Sequence, residues 1–473
     1  GYTSTLRHGG ALEVSFLTWL YWHAPMNDNS SLKGTEAAAK SLAKADAREI
    51  LKQLPIKRGQ TPLVHAPAYE ELAIKLLTSG DYSELWEDPS VNFQIHWDQF
   101  ADVPTVFSSA WYDSYTRANI ENYVGLSSRK KGPFRLIMGP WTHGEYEVTY
   151  AGDSDFGIES HINYNDLKLS WFDHYLKDMD TEVASWSKVK FFTMGTGDGN
   201  IDYEGRLRRD GYWRTSSDWP LKSTEYKEYY LDRNGRLTTE ILGLDNESFS
   251  KYTFDPKNPV PTIGGSLSAA APWLCPGAFD QRGDPDRFIG SHNNSPLNSR
   301  DDVLTFQTEE LDMDTEVTGP IKVKLWISSS AKDTDFTVKL IDLFPSTDEY
   351  VEGFAINITD SIMRTRFRNG WEKEELMVPG TPYLLEFELF PTSNIFKEGH
   401  RIRIDVSSSN WPRFDVNNNT GGKIGIDKSY ICAEQTVYHN EIMPSSIVLP
   451  IQPSRHLLLP DPSMGNIGSP TGI

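Results

Sequence analysis

Two polar side chains, Asp113 and His143, follow strand-like apolar runs and could act together as an acid–base pair. Asp113 ends the run "VPTVFSSAWYD", and His143 follows "FRLIMGPWT". A carboxylate that accepts the Nδ1–H of a histidine fixes the tautomer of the ring and stabilises its protonated form. The other ring nitrogen is then free to serve as a general base. We therefore take these two residues as the first candidates for proton-transfer chemistry.

The elements that must position this pair form a strand–helix–strand unit. Residues 103–113 and 134–140 are predicted to be strands, with the helical pattern "SYTRANIENYVGL" between them. Strands that alternate with helices are typical of a parallel sheet, and such sheets carry their catalytic loops at the carboxyl ends of the strands. Neighbouring strands would bring the two loops together. An acid that precedes its histidine also matches the last two members of the chain order Ser, Asp, His.

Other interpretations of both residues stay open on the sequence alone. A histidine after a strand often packs in the core, and an aspartate between a strand and a helix often caps the helix. A metal site is not expected, because His161 and His174 belong to no H-E-x-x-H motif or comparable ligand cluster. His174 also lies among Trp, Phe and Tyr at helical spacing, which favours a packing role.

Helical patterns dominate the first hundred residues, and strand patterns dominate the second half of the chain. Helices are predicted at 11–25, where the helix should be buried, and at 34–55, 68–80 and 164–179. Beyond residue 222, many short runs of alternating hydrophobicity are separated by turn residues. This second pattern predicts an all-β sandwich or jelly roll.

Composition and charge exclude several functions. The 473 residues carry a formal net charge of -20, so no nucleic-acid partner is expected, because phosphate contacts need a basic face. No run of about 18 apolar residues occurs, so no membrane span is expected. Cys275 and Cys432 form no metal motif, and the sequence leaves open whether they pair. The sequence also leaves the cellular compartment open, and it is compatible with a protein that forms a homo-oligomer.

Distinctive motifs occur along nearly the whole chain. The first half contains "VPTVFSSAWYDSYT", "RLIMGPWTHG" and "LSWFDHYLKDMDTEV", and the second half contains "DDVLTFQTEEL" and "HRIRIDVSSSNWPRFDVNNNTG". These stretches resemble the hydrolase domain and the C-terminal jelly roll of the CocE/NonD family. This family comprises the cocaine-esterase-like and Xaa-Pro dipeptidyl-peptidase-like (S15) serine hydrolases.

The resemblance implies a partial α/β-hydrolase with a helical cap, followed by a β-sandwich jelly-roll domain. It assigns residues 1–100 to the cap region, 101–185 to the C-terminal part of the hydrolase core, 186–221 to a connector and 222–473 to the jelly roll. It implies no metal and no organic cofactor.

The resemblance also implies roles for individual residues. Asp113 takes the place of the triad acid and His143 that of the triad base, while Trp111, Tyr112 and Trp141 could line an apolar substrate pocket. The implied reaction is the hydrolysis of an ester or amide through an acyl-enzyme. The expected substrate is a small molecule or a peptide: an acyl ester, an amino-acid ester or an X-Pro peptide.

The nucleophile of this family is a serine in an elbow of G-x-S-x-G type, and the printed sequence contains no such motif. Its three pairs of glycines four residues apart enclose Gly197, Lys423 and Pro470. The first residues resemble the family's segment just after the elbow. The serine is therefore expected upstream of Gly1, and the 473 residues by themselves are expected to be inactive.

Two alternatives to an upstream serine remain open on the sequence. Ser108, Ser109 or Thr142 could replace the nucleophile, but the resemblance gives none of them that role, and no tight strand-to-helix elbow is predicted around them. The chain could also be a truncated or non-catalytic protein whose jelly roll binds a ligand. The hydrolase interpretation is favoured over both.

Overall fold

The computed structural model describes residues 2–26, 36–51, 54–241, 248–269, 274–348 and 350–453. In these ranges the α-helices lie in the first 180 residues and the strands mostly beyond them. The helices are Ser15–His23 (α1), Glu36–Ala43 (α2), Ala47–Leu51 (α3), Pro67–Thr78 (α4), Glu84–Glu87 (α5), Thr116–Ser127 (α6) and Tyr164–Lys177 (α7).

The strands of the described residues belong to one large sheet and two small ones. In chain order they are Arg7–His8 (β1), Ala11–Leu12 (β2), Thr105–Tyr112 (β3), Phe134–Thr142 (β4), Tyr150–Ala151 (β5), Ser154–Asp155 (β6), Val189–Met194 (β7), Leu207–Arg208 (β8), Gly211–Ser216 (β9), Glu225–Asp232 (β10), Arg236–Thr238 (β11), Phe249–Phe254 (β12), Leu304–Gln307 (β13), Thr315–Ser329 (β14), Asp335–Leu343 (β15), Ala355–Arg364 (β16), Tyr383–Phe396 (β17), Arg401–Ser407 (β18), Ala433–Tyr438 (β19) and Ser446–Ile451 (β20).

The candidate acid and base follow two neighbouring parallel strands. β3 pairs in parallel with β4, with Thr105 opposite Phe134 and Tyr112 opposite Thr142. β4 in turn pairs in parallel with β7, and α6 forms the connection from β3 to β4. The predicted strand–helix–strand unit is confirmed. Its geometry places the loops after β3 and β4 at the same edge of the sheet.

The residues of β4 explain why this strand lies inside the molecule. Leu136, Ile137 and Met138 are consecutive, and all three are at most 4% exposed. Consecutive apolar residues are typical of a parallel strand that is covered on both faces. Such a strand offers a rigid support for the loop that follows it.

The predicted connector, residues 186–221, contains two strands that extend the sheet. β7 pairs with β4 on one side, and β9 runs antiparallel along it. One bridge, between Asn394 of β17 and Met194 of β7, continues the hydrogen bonding into the C-terminal region. The sheet of the first half and the β-rich second half are therefore directly joined.

The C-terminal region is built around β14, the longest strand of the described chain. β14 pairs antiparallel with β17, β19 and β20. Along it, Ile321, Val323, Leu325 and Ile327 are at most 1% exposed and alternate with more exposed neighbours. This period of two is the expected pattern of a strand with one face on a core.

The N-terminal helices match the predicted segments only in part. The helix predicted at 11–25 begins at Ser15, because Ala11–Leu12 pairs with Arg7–His8 as a small sheet. It buries Leu17, whereas Trp19 and Trp22 are 42% and 57% exposed, so the prediction of a wholly buried helix is wrong for these aromatic side chains.

Helices are also present in the other two segments of this region that are predicted to be helical. The segment 34–55 contains α2 and α3, and its residues 34–35 and 52–53 lie outside the described residues. The segment 68–80 corresponds to α4. Among the described residues no helix has the length and apolar character needed to cross a bilayer.

Candidate active site

The loops after β3 and β4 bring Asp113 and His143 into hydrogen-bonding contact. Nδ1 of His143 lies 3.1 Å from both Oδ1 and Oδ2 of Asp113. The side chain of Asp113 is 3% exposed, whereas that of His143 is 49% exposed. The imidazole therefore points one nitrogen at a buried carboxylate and keeps about half of its surface open. The contact predicted between the two side chains is present.

Short turns at the strand ends set the positions of both residues. After Asp113 the chain turns into α6, and Oδ1 of Asp113 accepts the main-chain N–H of Tyr115 at 3.0 Å. Aspartate side chains often accept such a main-chain hydrogen bond in the turn between two secondary-structure elements. Gly144 follows His143 with φ of 80°, a left-handed conformation that glycine adopts without strain. The aspartate therefore supports the turn before the helix and also binds the histidine.

Two hydroxyl groups complete the environment of the carboxylate. Ser109 Oγ donates to Oδ2 of Asp113 at 3.3 Å, and Ser268 Oγ donates to Oδ1 at 3.2 Å. Together with the N–H of Tyr115 and Nδ1 of His143, these donors fix the plane of the carboxylate. Ser268 is not predictable from the sequence, because 155 residues separate it from Asp113 and no local pattern connects them.

The contact with Asp113 raises the pKa of His143 above its usual range. The hydrogen bond from Nδ1 to the carboxylate is the main cause, and the negative charge of Asp113 adds to it. Partial burial of the ring acts in the opposite direction and lowers the pKa. A carboxylate that raises the proton affinity of the imidazole also strengthens it as a general base.

Tyr115 packs on the open face of the histidine. The two rings are stacked with centroids 5.2 Å apart and planes at 28°. Tyr115 also contacts Phe16 of α1 in an edge-to-face arrangement, with centroids 6.2 Å apart. Tyr115 is not among the residues predicted from the sequence, although an aromatic residue two positions after the acid in "WYDSY" is a signal that could have identified it.

The three aromatic residues predicted to bind substrate lie in the core. Trp111, Tyr112 and Trp141 are each at most 1% exposed. Nε1–H of Trp111 donates to the carbonyl of Phe192 at 2.7 Å, and that of Trp141 donates to the carbonyl of Ser160 at 3.0 Å. These rings are therefore part of the core, and a role in substrate binding stays a prediction.

The hydroxyl groups that could replace the nucleophile, those of Ser108, Ser109 and Thr142, are poorly placed for attack. Ser109 is fully buried and hydrogen bonded to Asp113. Thr142 is 9% exposed at the end of β4. Ser108 lies within β3, away from the loop that follows this strand. None of the three stands at a strand-to-helix turn.

A cleft of about 840 Å³ opens next to Tyr115. Its wall includes Phe16 and Tyr115, which connect it to the face of His143, although His143 itself is not part of the lining. Glu87, Glu121 and Glu372 also line the cleft, and among its described lining residues none is Lys, Arg or His. Burial raises the pKa of Glu121, and the nearby Arg117 partly opposes this effect. The cleft therefore exposes acidic side chains to a bound ligand.

The other described histidine and cysteine residues form no metal-binding group. In the described part of the chain, no three His, Cys, Asp or Glu side chains are grouped so that they could hold a metal ion. His174 packs against Tyr175, with Nδ1 3.2 Å from the carbonyl of Met179. Cys275 and Cys432, whose pairing the sequence left open, are both free thiols.

Comparison with protein families gives two matches that together cover most of the chain. Residues 1–145 match the X-Pro dipeptidyl-peptidase (S15 family) model. Residues 181–448 match the model of the X-Pro dipeptidyl-peptidase C-terminal non-catalytic domain. The first match contains both Asp113 and His143, and the second contains Ser268.

Individual relatives agree with these matches. The chain is 31% identical over 462 residues to cocaine esterase from Rhodococcus sp. (strain MB1 Bresler), an alignment that covers 94% of this chain and 73% of that enzyme. A solved α-amino acid ester hydrolase aligns with a TM-score of 0.70 at 22% identity, over 95% of this chain and 70% of the other. A CocE/NonD family hydrolase from Staphylococcus aureus aligns with a TM-score of 0.57 at 16% identity, over 96% of this chain and 65% of the other. The two structural matches show a shared fold.

Proposed function

This chain belongs to the CocE/NonD-like family of hydrolases, and we propose that it supplies the acid and the base of a Ser–His–Asp triad that cleaves an ester or amide. Asp113 is the acid and His143 is the base. The observation that carries the proposal is the contact of Nδ1 of His143 with both carboxylate oxygens of Asp113 at 3.1 Å. It is supported by the half-open histidine ring and by the parallel strands that position both loops.

The proposed reaction begins with the attack of a serine hydroxyl on the substrate carbonyl. Nε2 of His143 takes the hydroxyl proton, while Nδ1–H stays bonded to Asp113, which stabilises the imidazolium. The imidazolium then protonates the leaving alcohol or amine, and an acyl-enzyme remains. Water attacks the acyl-enzyme, with His143 again as the base, and releases the acid.

The nucleophile in this proposal is the serine that the sequence analysis expects upstream of Gly1. The described hydroxyl groups near His143 support this assignment. The hydroxyl of Ser109 donates a hydrogen bond to Asp113, and Ser108 lies inside β3. The proposal therefore assigns two members of the triad to the printed residues and one to a G-x-S-x-G segment that precedes them.

We assign the substrate to the cleft next to Tyr115, and its charge favours a substrate that carries an amine. Glu87, Glu121 and Glu372 line this cleft, and its described lining has no basic side chain. The exposed carboxylates of Glu87 and Glu372 attract an ammonium group and raise its local concentration. An amino-acid ester or a peptide with a free amino terminus fits this charge better than a neutral ester. Phe16 and Tyr115 would contact the apolar part of the substrate.

The proposal is tested with the polypeptide that carries the upstream serine together with these residues. Hydrolysis of a phenyl ester of an amino acid is compared with hydrolysis of the same ester after N-acetylation, which removes the positive charge. The proposal predicts turnover of both esters and a higher kcat/KM for the free amine. Absence of turnover with activated esters would contradict the hydrolase assignment. A preference for the acetylated ester would contradict only the substrate assignment.

A further inference from the structure

A loop of the C-terminal region, residues 262–269, lies against the end of β3 and is here called the acid-facing loop. Ser266 Oγ donates to the carbonyl of Trp111 at 2.9 Å, and Ser268 Oγ donates to Oδ1 of Asp113 at 3.2 Å. Ser114 Oγ shares a further hydrogen bond with Ser268 Oγ. The loop therefore contacts both the main chain and the carboxylate at the strand end that carries the acid.

The acid-facing loop is held firmly on its own domain. The main-chain N–H of Thr262 donates to the carbonyl of Trp411 at 2.6 Å, and Gly265 exchanges two hydrogen bonds with Gly277, at 2.8 and 3.1 Å. Gly264 has φ of +66°, and a Cβ at this position would lie 2.5 Å from the carbonyl oxygen of Gly277. The chain can follow this path only with glycine, so the loop presents its serines in a fixed place.

We propose that Ser268 is a positioning residue for the catalytic pair: it fixes the carboxylate of Asp113 and thereby sets the proton affinity of His143. This inference rests on the proposed function of the pair. Ser109 and the N–H of Tyr115 also donate to Asp113, but they belong to the strand and the turn of the acid itself. Of the donors found in the described residues, Ser268 alone belongs to the region that matches the non-catalytic domain model.

The hydroxyl groups of Ser114 and Ser268 form consecutive hydrogen bonds that lead to Asp113. Their direction is fixed, because each serine hydroxyl has one proton to donate. When Ser268 donates to Asp113, its oxygen accepts the proton of Ser114, which is fully buried. A donor on the carboxylate disperses part of its negative charge. Less charge then remains to stabilise the imidazolium of His143. Removal of the Ser268 hydroxyl therefore concentrates charge on Asp113 and raises the pKa of His143.

The environment of His143 makes this pKa a specific reporter. Asp113 is the charged group that faces the ring. Tyr115 covers one face, and its own pKa is raised to about 12, with burial as the main cause, so its phenol stays neutral in the relevant range. A change in the titration of His143 therefore reports a change at Asp113.

The test is an NMR titration of the chain with isotope-labelled histidine. The chain has eleven histidines, and His143→Gln identifies the signal of interest by its loss. Ser268→Ala is expected to raise the pKa of His143 by about 0.3 unit or more. Ser268→Thr keeps the hydroxyl and should titrate like the unchanged chain. Ser266→Ala is the matched control. The hydroxyl that it removes lies in the same loop as Ser268 but donates to a main-chain carbonyl and not to Asp113.

An unchanged pKa of His143 in Ser268→Ala, or an equal shift in Ser266→Ala, would overturn the inference. If Ser268→Ala does not fold, Ser268→Cys replaces the hydroxyl by a weak donor of similar size and should shift the pKa in the same direction. This result is separable from the proposed function, since the titration needs no turnover. Loss or survival of turnover in a His143 variant decides the function, whatever the titration shows.

Discussion

The ring of Tyr115 lies on the imidazole of His143, with centroids 5.2 Å apart and planes at 28°. Because Tyr115 also touches Phe16 and lines the adjacent cleft, it connects the proposed base to the proposed substrate site. The stack restricts the rotation of the imidazole ring about its Cβ–Cγ bond. Orientation of the base and contact with the substrate therefore depend on one aromatic side chain.

Replacement of Tyr115 tests this role. Tyr115→Phe keeps the stacked ring and is expected to retain kcat/KM. Tyr115→Leu removes the aromatic face, and the loss of a ring contact of this kind is expected to lower kcat/KM by about 3- to 10-fold. Steady-state hydrolysis of an activated ester, by a polypeptide that carries the proposed upstream serine, gives both values. Equal activity of the Leu and Phe variants would show that the stack has no part in catalysis.

The carboxylates of the cleft are predicted to select for positive charge. In the double variant Glu87→Gln/Glu372→Gln, KM for an amino-acid ester is expected to rise roughly 5-fold, because partly exposed carboxylates each contribute a modest attraction. KM for the N-acetylated ester should not change. Glu84→Gln is the matched control, since Glu84 lies on the same short helix as Glu87 but outside the cleft lining. An equal change of KM for both esters would exclude charge recognition.

The contact between His143 and Asp113 is expected to make stability depend on pH. The folded protein binds the proton of His143 more tightly than the unfolded chain, because Asp113 raises its pKa. This stabilisation is fully present below the unfolded pKa of about 6.5 and is lost as pH rises through the folded pKa. Urea unfolding of the unchanged chain and of His143→Gln across this window gives the difference in free energy of unfolding. A difference that stays constant with pH would contradict the contact.

Trp141 is predicted to act through packing, so its substitution should affect stability before substrate binding. Trp141→Phe keeps an apolar ring but removes the N–H that donates to the carbonyl of Ser160. A buried carbonyl left without its donor costs about 1–3 kcal/mol. Thermal unfolding should detect this loss while KM stays within about 2-fold, since the hydrogen bond lies away from the cleft. A rise in KM without a loss of stability would instead support the binding role that the sequence analysis predicted.

Local patterns predicted the elements that carry Asp113 and His143. The apolar runs before both residues and the helix between them are sufficient to place the loops of two parallel strands together. The same reasoning failed for contacts between distant segments. Ser268 reaches Asp113 from the C-terminal region, and nothing in its neighbourhood in the sequence indicates this.

The burial of aromatic residues was also predicted poorly, because residue type does not determine whether a side chain is buried. Trp111 and Trp141 looked suited to a pocket, yet both are buried and donate to main-chain carbonyls. Trp19 and Trp22 looked like parts of a buried helix, yet about half of each is exposed. An amphipathic ring can satisfy its N–H inside the protein or at its surface, so only the tertiary structure decides between the two.

The central claim is that His143 is the general base of a serine hydrolase. The most direct measurement is the turnover number of His143→Ala with an activated ester, in a polypeptide that carries the proposed upstream serine, together with its melting temperature. Loss of the base of a triad is expected to lower kcat by roughly 10⁴-fold or more. Measured above the folded pKa of His143, where its proton no longer adds stability, the melting temperature should change by no more than about 2 °C, because the side chain is half exposed. A folded His143→Ala variant that retains kcat would contradict the account.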